Sequence, residues 1–487
     1  MPKALPKKHL EPRRKINVFV LTMLSLAVVI SLRNLPLSAE YGLSSVFYYC
    51  VAALVFMIPY ALISAELASG WPKAGGVFIW VKEALGERWG FFAIWMQWFH
   101  NMTFYPAMLA FVGAGIAQLF APELAANKFY LLGVVLVGFW GITLLNFLGV
   151  RTSSLVSTVC VIIGAILPGA ILITLGIIWV TTGEPLSIHL TASALIPDFS
   201  SISHLVFLGG IFLALSGLEA NANLAREVEH PQRSYPKAIF ISASITLVIL
   251  VLGSLSIAVV IPRAKISLVS GLLDAFRHFF AIAKVPWLTP IVSLLTVLGA
   301  LGELNAWAIA GVKGLFVTTE YGCLPPVFHK INKNHIPTRL LLFQAIVVSL
   351  AAFVFLILPD VNISFWVLSA LASQMYLLMY LLLFISGVVL RYQKPKVVRP
   401  YKIPLGNSGI TGLAVLGVLA ALFAIGASFI PPRLFAVVFN TYFYELIMIG
   451  GFLGCFLLPH IIYSLRKPHW KIEVLKEIQE EIHSSFH

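Results

Sequence analysis

The stretch FLALSGLEANANLAREVEHPQRSYP (212–236) begins as an apolar run fit for lipid, breaks on Ser216-Gly217, and carries a carboxylate, Glu219, before any charge-rich loop is reached. In a helix surrounded by hydrocarbon, a break frees backbone groups that only protein, water or a ligand can satisfy. A carboxylate inside such a run is costly as well, and residues of this kind usually mark a site. A second interruption lies five apolar runs earlier, in LAVVISLRNLPLSAEYG (26–42), where Arg33, Asn34 and Pro36 fall inside the run. Corresponding interruptions in two halves of a chain point to a binding site built from discontinuous helices in an inverted repeat. The break at Ser216-Gly217 is then expected to present free amides to a carboxylate ligand. Glu219 beside it would serve a cation, a proton or a structural hydrogen bond; a packing kink with a structurally bonded acid is the alternative.

The rest of the chain agrees that the medium is a bilayer. Of 487 residues, 59% are hydrophobic and 11% charged, whereas soluble domains carry about 25% charged residues. About 20 apolar residues span the hydrocarbon as helix, and twelve runs qualify: 17–38, 44–68, 89–119, 129–149, 154–182, 204–225, 236–262, 286–318, 338–358, 362–390, 411–430 and 441–465. The fold class expected is an all-α membrane protein of 12 transmembrane helices. Short alternating strand patterns of a β-barrel are absent, and no small-residue cleavage pattern follows the basic N-terminus.

The net charge of +13 serves topology. With the N-terminus inside, the outer loops hold only Lys128, Arg263, Lys265, Arg277, Lys284 and Arg433 of the 33 Lys and Arg residues, and Arg33 lies within a span. This is the positive-inside pattern; it places both termini in the cytoplasm and makes anionic lipid, not nucleic acid, the partner of the basic face. The four cysteines are dispersed without CxxC spacing and read as reduced apolar filler. Four regions are expected: a basic N-terminus (1–15), a ten-helix core (16–391), a cytoplasmic loop with helices 11 and 12 (392–465), and a cytoplasmic tail (466–487).

Three segments, AELASGWPKAGGVFIWVKEALGERWGF (65–91), SGLEANANLAREVEHPQRSYPKAI (216–239) and ELNAWAIAGVKGLFVTTEYGCLPPVFHKINKNHIP (303–337), together with the last span, YELIMIGGFLGCFLLPHIIYSL (444–465), carry a family resemblance. The chain resembles the amino acid–polyamine–organocation (APC) superfamily over nearly its whole length, and within it the bacterial glutamate/γ-aminobutyrate antiporters. The resemblance implies a LeuT-like 5+5 inverted repeat followed by two C-terminal helices, in a bacterial cytoplasmic (inner) membrane. It also implies an amino acid bound between spans 1, 3, 6, 8 and 10, and exchange of a glutamate-like solute for a γ-aminobutyrate-like one. Where the superfamily has a Gly-Ser-Gly type break in span 1, this chain reads Val29-Ile30-Ser31; where the glutamate antiporters carry aromatic and acidic residues before the proline, it has Arg33 and Asn34. Run 154–182 contains no Lys or Arg, so neither a sodium site nor a lysine substitute for sodium is expected.

Candidate substrate-binding residues follow from polar groups inside spans. Val29, Ile30, Ser31 and Arg33 come from span 1, and the Arg33 guanidinium suits a carboxylate bidentately. Gln97, His100 and Asn101 share one face of span 3, as do Glu303 and Trp307 in span 8 and Ser369, Ser373 and Tyr376 in span 10. Span 6 adds Ser216, Gly217 and Glu219. Glu66 and Glu227, near cytoplasmic ends, are expected to make gate-stabilising contacts with basic loop residues. In the tail, Leu475, Ile478, Ile482 and Phe486 form one apolar stripe, and His469, His483 and His487 are candidate pH sensors; a helix resting on the membrane surface is the alternative. No acyltransferase, HExxH or clustered His/Cys pattern is present, so neither an enzyme, a metal nor a cofactor is expected, and no selectivity-filter pattern suggests a channel. The partners expected are small-molecule amino acids and membrane lipid, around a monomer or homodimer. A neutral amino acid exchanger or proton-linked importer is the second reading.

Overall fold

The computed structural model describes residues 16–197, 208–224, 228–431, 440–467 and 470–471. Among these residues the secondary structure is helical, with no strand beyond two isolated bridge pairs. Eleven helices are long and apolar enough to cross a membrane. In chain order they are span 1 (Val18–Ala39), span 2 (Gly42–Gly70), span 3 (Glu87–Phe120), span 4 (Lys128–Asn146), span 5 (Val150–Thr181), span 7 (Pro231–Val260), span 8 (Leu288–Glu320), span 9 (Thr338–Ile357), span 10 (Val361–Gln393), span 11 (Gly406–Ala427) and span 12 (Thr441–Ser464). The sixth expected span, 204–225, is described as two short pieces, Leu208–Ala214 and Ala220–Leu224. Among the described residues neither piece is long enough to count as a crossing by length, so a twelfth crossing is not shown. Two shorter helices lie between spans: Val77–Leu85 buries its first five residues, and Gly271–Ile282 buries one side.

The core sits where spans 3, 8 and 10 pack together, with spans 1 and 6 against them. Small residues permit the closest approaches, as they do between helices in lipid, where dispersion and shape replace the hydrophobic effect. A Cβ added to Gly299 of span 8 would lie 2.2 Å from the Gly164 carbonyl oxygen of span 5, and one on Gly302 2.2 Å from Cys160 Cβ. A closed polar network reinforces this crossing. Asn146 Nδ2 donates to Asn305 Oδ1 (3.0 Å), and Asn305 Nδ2 donates to the Ser153 carbonyl (2.9 Å) and the Ser157 hydroxyl (3.0 Å). Buried polar groups with every partner supplied fix one arrangement and rigidify it.

At the end where the basic loops gather, Glu66 of span 2 is nearly inaccessible and holds the connection after span 10. Arg391 Nη1 donates to its Oε1 at 2.6 Å, the Ile403 N–H donates to its Oε2 at 2.8 Å, and Arg399 Nε stands 3.4 Å from Oε1. Burial pushes the Arg399 guanidinium below its usual range, against the opposing field of Glu66. All four cysteines are free.

Candidate functional site

Span 1 is helical to Val29, leaves the helix at Ile30 and Ser31, and resumes as a tight turn over Leu32–Asn34 and a helix over Leu35–Ala39. Pro36 sits at the second position of that last helix, where its missing N–H is no loss. The break thus falls on Val29-Ile30-Ser31, the stretch singled out in the sequence. Span 6 breaks between Ala214 and Ala220, and Gly217 has φ +116°, a conformation that glycine adopts without strain. A Cβ there would meet Trp307 Cζ2 and Val28 Cγ1 at 3.0 Å each. The two breaks therefore lie side by side, with Trp307 of span 8 wedged between them.

Three backbone groups at the breaks have partners from other spans. Trp307 Nε1 donates to the Val28 carbonyl at 2.9 Å, the Tyr60 hydroxyl donates to the Leu215 carbonyl, and the Gly217 N–H donates to the Tyr380 hydroxyl oxygen at 2.8 Å. The expectation of free amides at the break accordingly does not hold at Gly217. Its amide is taken up by a tyrosine of span 10, because a buried amide without a partner would cost more than the hydrogen bond itself contributes.

Glu219 has the third of its anticipated roles. Tyr376 donates to Oε1, Gln97 Nε2 donates to Oε1 at 3.2 Å, and Tyr380 donates to Oε2 at 2.7 Å. Three donors surround a fully buried carboxylate, which thereby ties spans 3, 6 and 10 together. Asn223 extends the network, donating to Gln97 Oε1 at 3.2 Å.

On the other side of Tyr376 is a small cavity with room for about one water, roughly 10 Å³. Val29, Ser31, His100, Ser216, Glu303 and Trp307 line it. The His100 ring stacks on Tyr376 at 4.3 Å between centroids, and its Nδ1 faces the Ala372 carbonyl at 3.2 Å. That contact requires the proton on Nδ1, which leaves Nε2 of the neutral ring as an acceptor with no hydrogen-bond partner among the described residues. Glu303 Oε1 likewise has none. Arg33 lies under Phe104, with its Cζ 4.5 Å from the ring centroid, and reaches Ser369 Oγ at 3.4 Å.

The structure thus brings Val29, Ser31, His100, Ser216, Glu303 and Trp307 around one cavity, with Arg33, Gly217 and Glu219 immediately behind it. Ser369 and Ser373 line an adjoining gap toward Phe365. Ile30 marks the break without lining either space, and Asn101 turns to the Gln97 carbonyl (3.3 Å) and to Gly311 of span 8. Glu227, His469, His483 and His487 lie outside the described residues, as does the tail's apolar stripe. Sequence reasoning missed Tyr380 and Tyr60. Tyr380 was within reach, one turn beyond Tyr376 on the face that also carries Ser369 and Ser373; Tyr60 offers no sequence signal. A much larger cavity, about 820 Å³, opens at the basic end beside Lys73, His230, Arg233 and Glu320.

A bundle of long apolar helices around two adjoining helix breaks defines a multi-pass membrane transporter rather than an enzyme, and comparison with known proteins agrees. Residues 16–453 match the amino acid permease family model, and the chain belongs to that family. It is 42% identical over 447 residues to an uncharacterised transporter of Legionella pneumophila, covering 92% of this chain and 96% of the relative. It is 32% identical over 472 residues to a glutamate/γ-aminobutyrate antiporter of Lactococcus lactis, covering 95% and 93%. A probable agmatine/putrescine antiporter of the same organism is 27% identical over 403 residues, covering 82% and 84%. The protein is a transporter of amino acids or amines.

Proposed function

We propose that the protein exchanges an external amino acid for an internal amino acid or amine by alternating access, with glutamate against γ-aminobutyrate as the first pair to test. The observation that carries this reading is the meeting of two broken helices over a cavity whose acid and histidine each keep an unpartnered atom. The relative of matching length named for glutamate and γ-aminobutyrate supplies the solute pair. At about 10 Å³ the cavity is far below the roughly 300 Å³ at which ligand pockets begin. The spans around it must therefore move apart to admit a solute, and the wide cavity at the basic end is the natural vestibule on one side. The residues proposed to contact the solute are those lining the central cavity, with Arg33 behind Phe104. Exchange of neutral amino acids is a second reading, favoured by Arg33 and Glu303 standing as one charge of each sign.

The test is counterflow in liposomes containing the purified protein. Uptake of a labelled amino acid should saturate and be stimulated at least about tenfold by an amino acid or amine inside. Flux that neither saturates nor responds to the inner solute would indicate a channel, and chemical conversion of the solute an enzyme.

A further inference from the structure

Arg33 is 1% exposed, in the middle of a span, and is poorly partnered for so buried a cation. Its Cζ sits 4.5 Å from the Phe104 centroid and 5.2 Å from that of Phe365, and its one hydrogen bond, to Ser369, is long at 3.4 Å. Among the described residues Nε and Nη2 have no hydrogen-bond partner. Glu303 lines the cavity at 4% exposure with Oε1 unpartnered. Arg33 packs on Phe104, which lines the same cavity as Glu303, yet among the described residues no carboxylate comes within 4 Å of Arg33. The same protein shows the other arrangement at Glu66, where Arg391 closes to 2.6 Å. Buried charges of opposite sign ordinarily close on each other, because the interior gives each no other compensation. Here they are held apart, each with donor or acceptor capacity left over.

We infer that Arg33 and Glu303 sort solutes by charge, and that the solute which opens this cavity is a net-neutral zwitterion, its carboxylate on Arg33 and its ammonium on Glu303. This rests on the reading of the cavity as the solute site. Arg33 Nε and Nη2 form the fork that takes two carboxylate oxygens, and Glu303 Oε1 accepts an ammonium N–H. His100 lines the same cavity, and its Nε2 lone pair is a second acceptor. Among the described residues no Lys or Arg other than Arg33 lies at this cavity or the adjoining gap to take a second carboxylate. Glu219 does not stand in for a second anion, since Gln97, Tyr376 and Tyr380 already occupy it. A solute with an extra ionised carboxylate, or a diamine without a carboxylate, therefore enters with a charge that the site leaves unpaired.

The experiment is trans-stimulated exchange at pH 7 in liposomes containing the full-length protein. The solutes are γ-aminobutyrate and glutamine as neutral zwitterions, glutamate as a net anion, and putrescine and agmatine as cations. Wild-type protein should exchange the zwitterions at least about tenfold faster than either charged class. Equal or faster exchange of glutamate or putrescine overturns the sorting while leaving amino acid or amine exchange in place; absence of any saturable exchange overturns the reading beneath it. Arg33→Gln should lower zwitterion exchange at least about tenfold and reduce the discrimination against putrescine, and Arg33→Lys should restore part of both. If Arg33→Gln instead slows every solute by the same factor, the guanidinium is a structural wedge and the proposal fails. Should that variant not purify as a single species, the wild-type solute panel decides alone.

Discussion

Tyr380 bears on two problems with one hydroxyl, accepting from the amide of Gly217 and donating to Glu219. Replacing it by phenylalanine leaves a buried N–H and a carboxylate oxygen each short of a partner, at about 1–3 kcal/mol for each group. Tyr380→Phe should therefore unfold at clearly lower temperature in detergent. Tyr105→Phe provides the contrast: the Tyr105 hydroxyl is buried without a hydrogen-bond partner among the described residues, so its removal should leave the melting temperature unchanged or raised. Gly217 is constrained twice, by φ +116° and by the 3.0 Å approach of Trp307 and Val28 to any Cβ. Strain of that kind costs about 1–3 kcal/mol, and Gly217→Ala should reduce amino acid exchange by at least about tenfold in protein that still purifies intact. Normal exchange by this variant would mean that the break does not hold the geometry of the site.

Among the elements, the connection after span 10 depends most on a single side chain. Glu66 holds Arg391, Arg399 and the Ile403 amide at once, and Arg399 also packs over the Trp71 ring at 5.1 Å. Removing one member of a buried ion cluster leaves the others uncompensated, at about 3–5 kcal/mol. Glu66→Gln should thus speed hydrogen exchange and proteolysis across 394–404 before it affects the rest of the bundle. Unchanged protection of that loop would show that Lys394 suffices: it pairs with Glu83 at 2.5 Å, a contact that holds the Glu83 carboxyl below its usual range. By the same linkage the Glu83 contribution is present above the ordinary carboxylate pKa and is lost as pH falls through the depressed one.

At the scale of the whole molecule, the central cavity is closed while the basic end is open, with an 820 Å³ vestibule. In a background with Cys50, Cys160, Cys323 and Cys455 replaced by serine, Gln232→Cys on the vestibule wall should react rapidly with a polar thiol reagent supplied from that side. Ser216→Cys should be protected in resting protein and become reactive while amino acid is being exchanged. Rapid labelling of Ser216→Cys at rest would mean that the closed cavity is not the resting state of the protein in a membrane.

The places where helices 1 and 6 fail were legible in the sequence because lipid offers no hydrogen bonds. Glycine, proline and ionisable residues stand out in an apolar run, and Arg33, Asn34 and Pro36 in the first and Ser216-Gly217 in the sixth were marked on that ground, whereas Val29-Ile30-Ser31 was picked out only by the family resemblance. Glu303 and His100 stood out as ionisable residues inside spans, and three- and four-residue steps then put Trp307 on the face of Glu303 and Gln97 and Asn101 on that of His100. The partners were less accessible. Gly217 meets Tyr380 across 163 residues and Glu66 meets Arg391 across 325, and no local periodicity encodes which distant hydroxyl or guanidinium arrives. Glu219 was open to three roles in the sequence; the packing of spans 3, 6 and 10 selected the hydrogen-bonded one. Likewise, Arg33 and Glu303 were separately visible as charges in lipid-like helices. That they stand at one cavity without touching is a property of the assembled bundle, because separation between groups on different helices is set by helix packing rather than by the residues themselves.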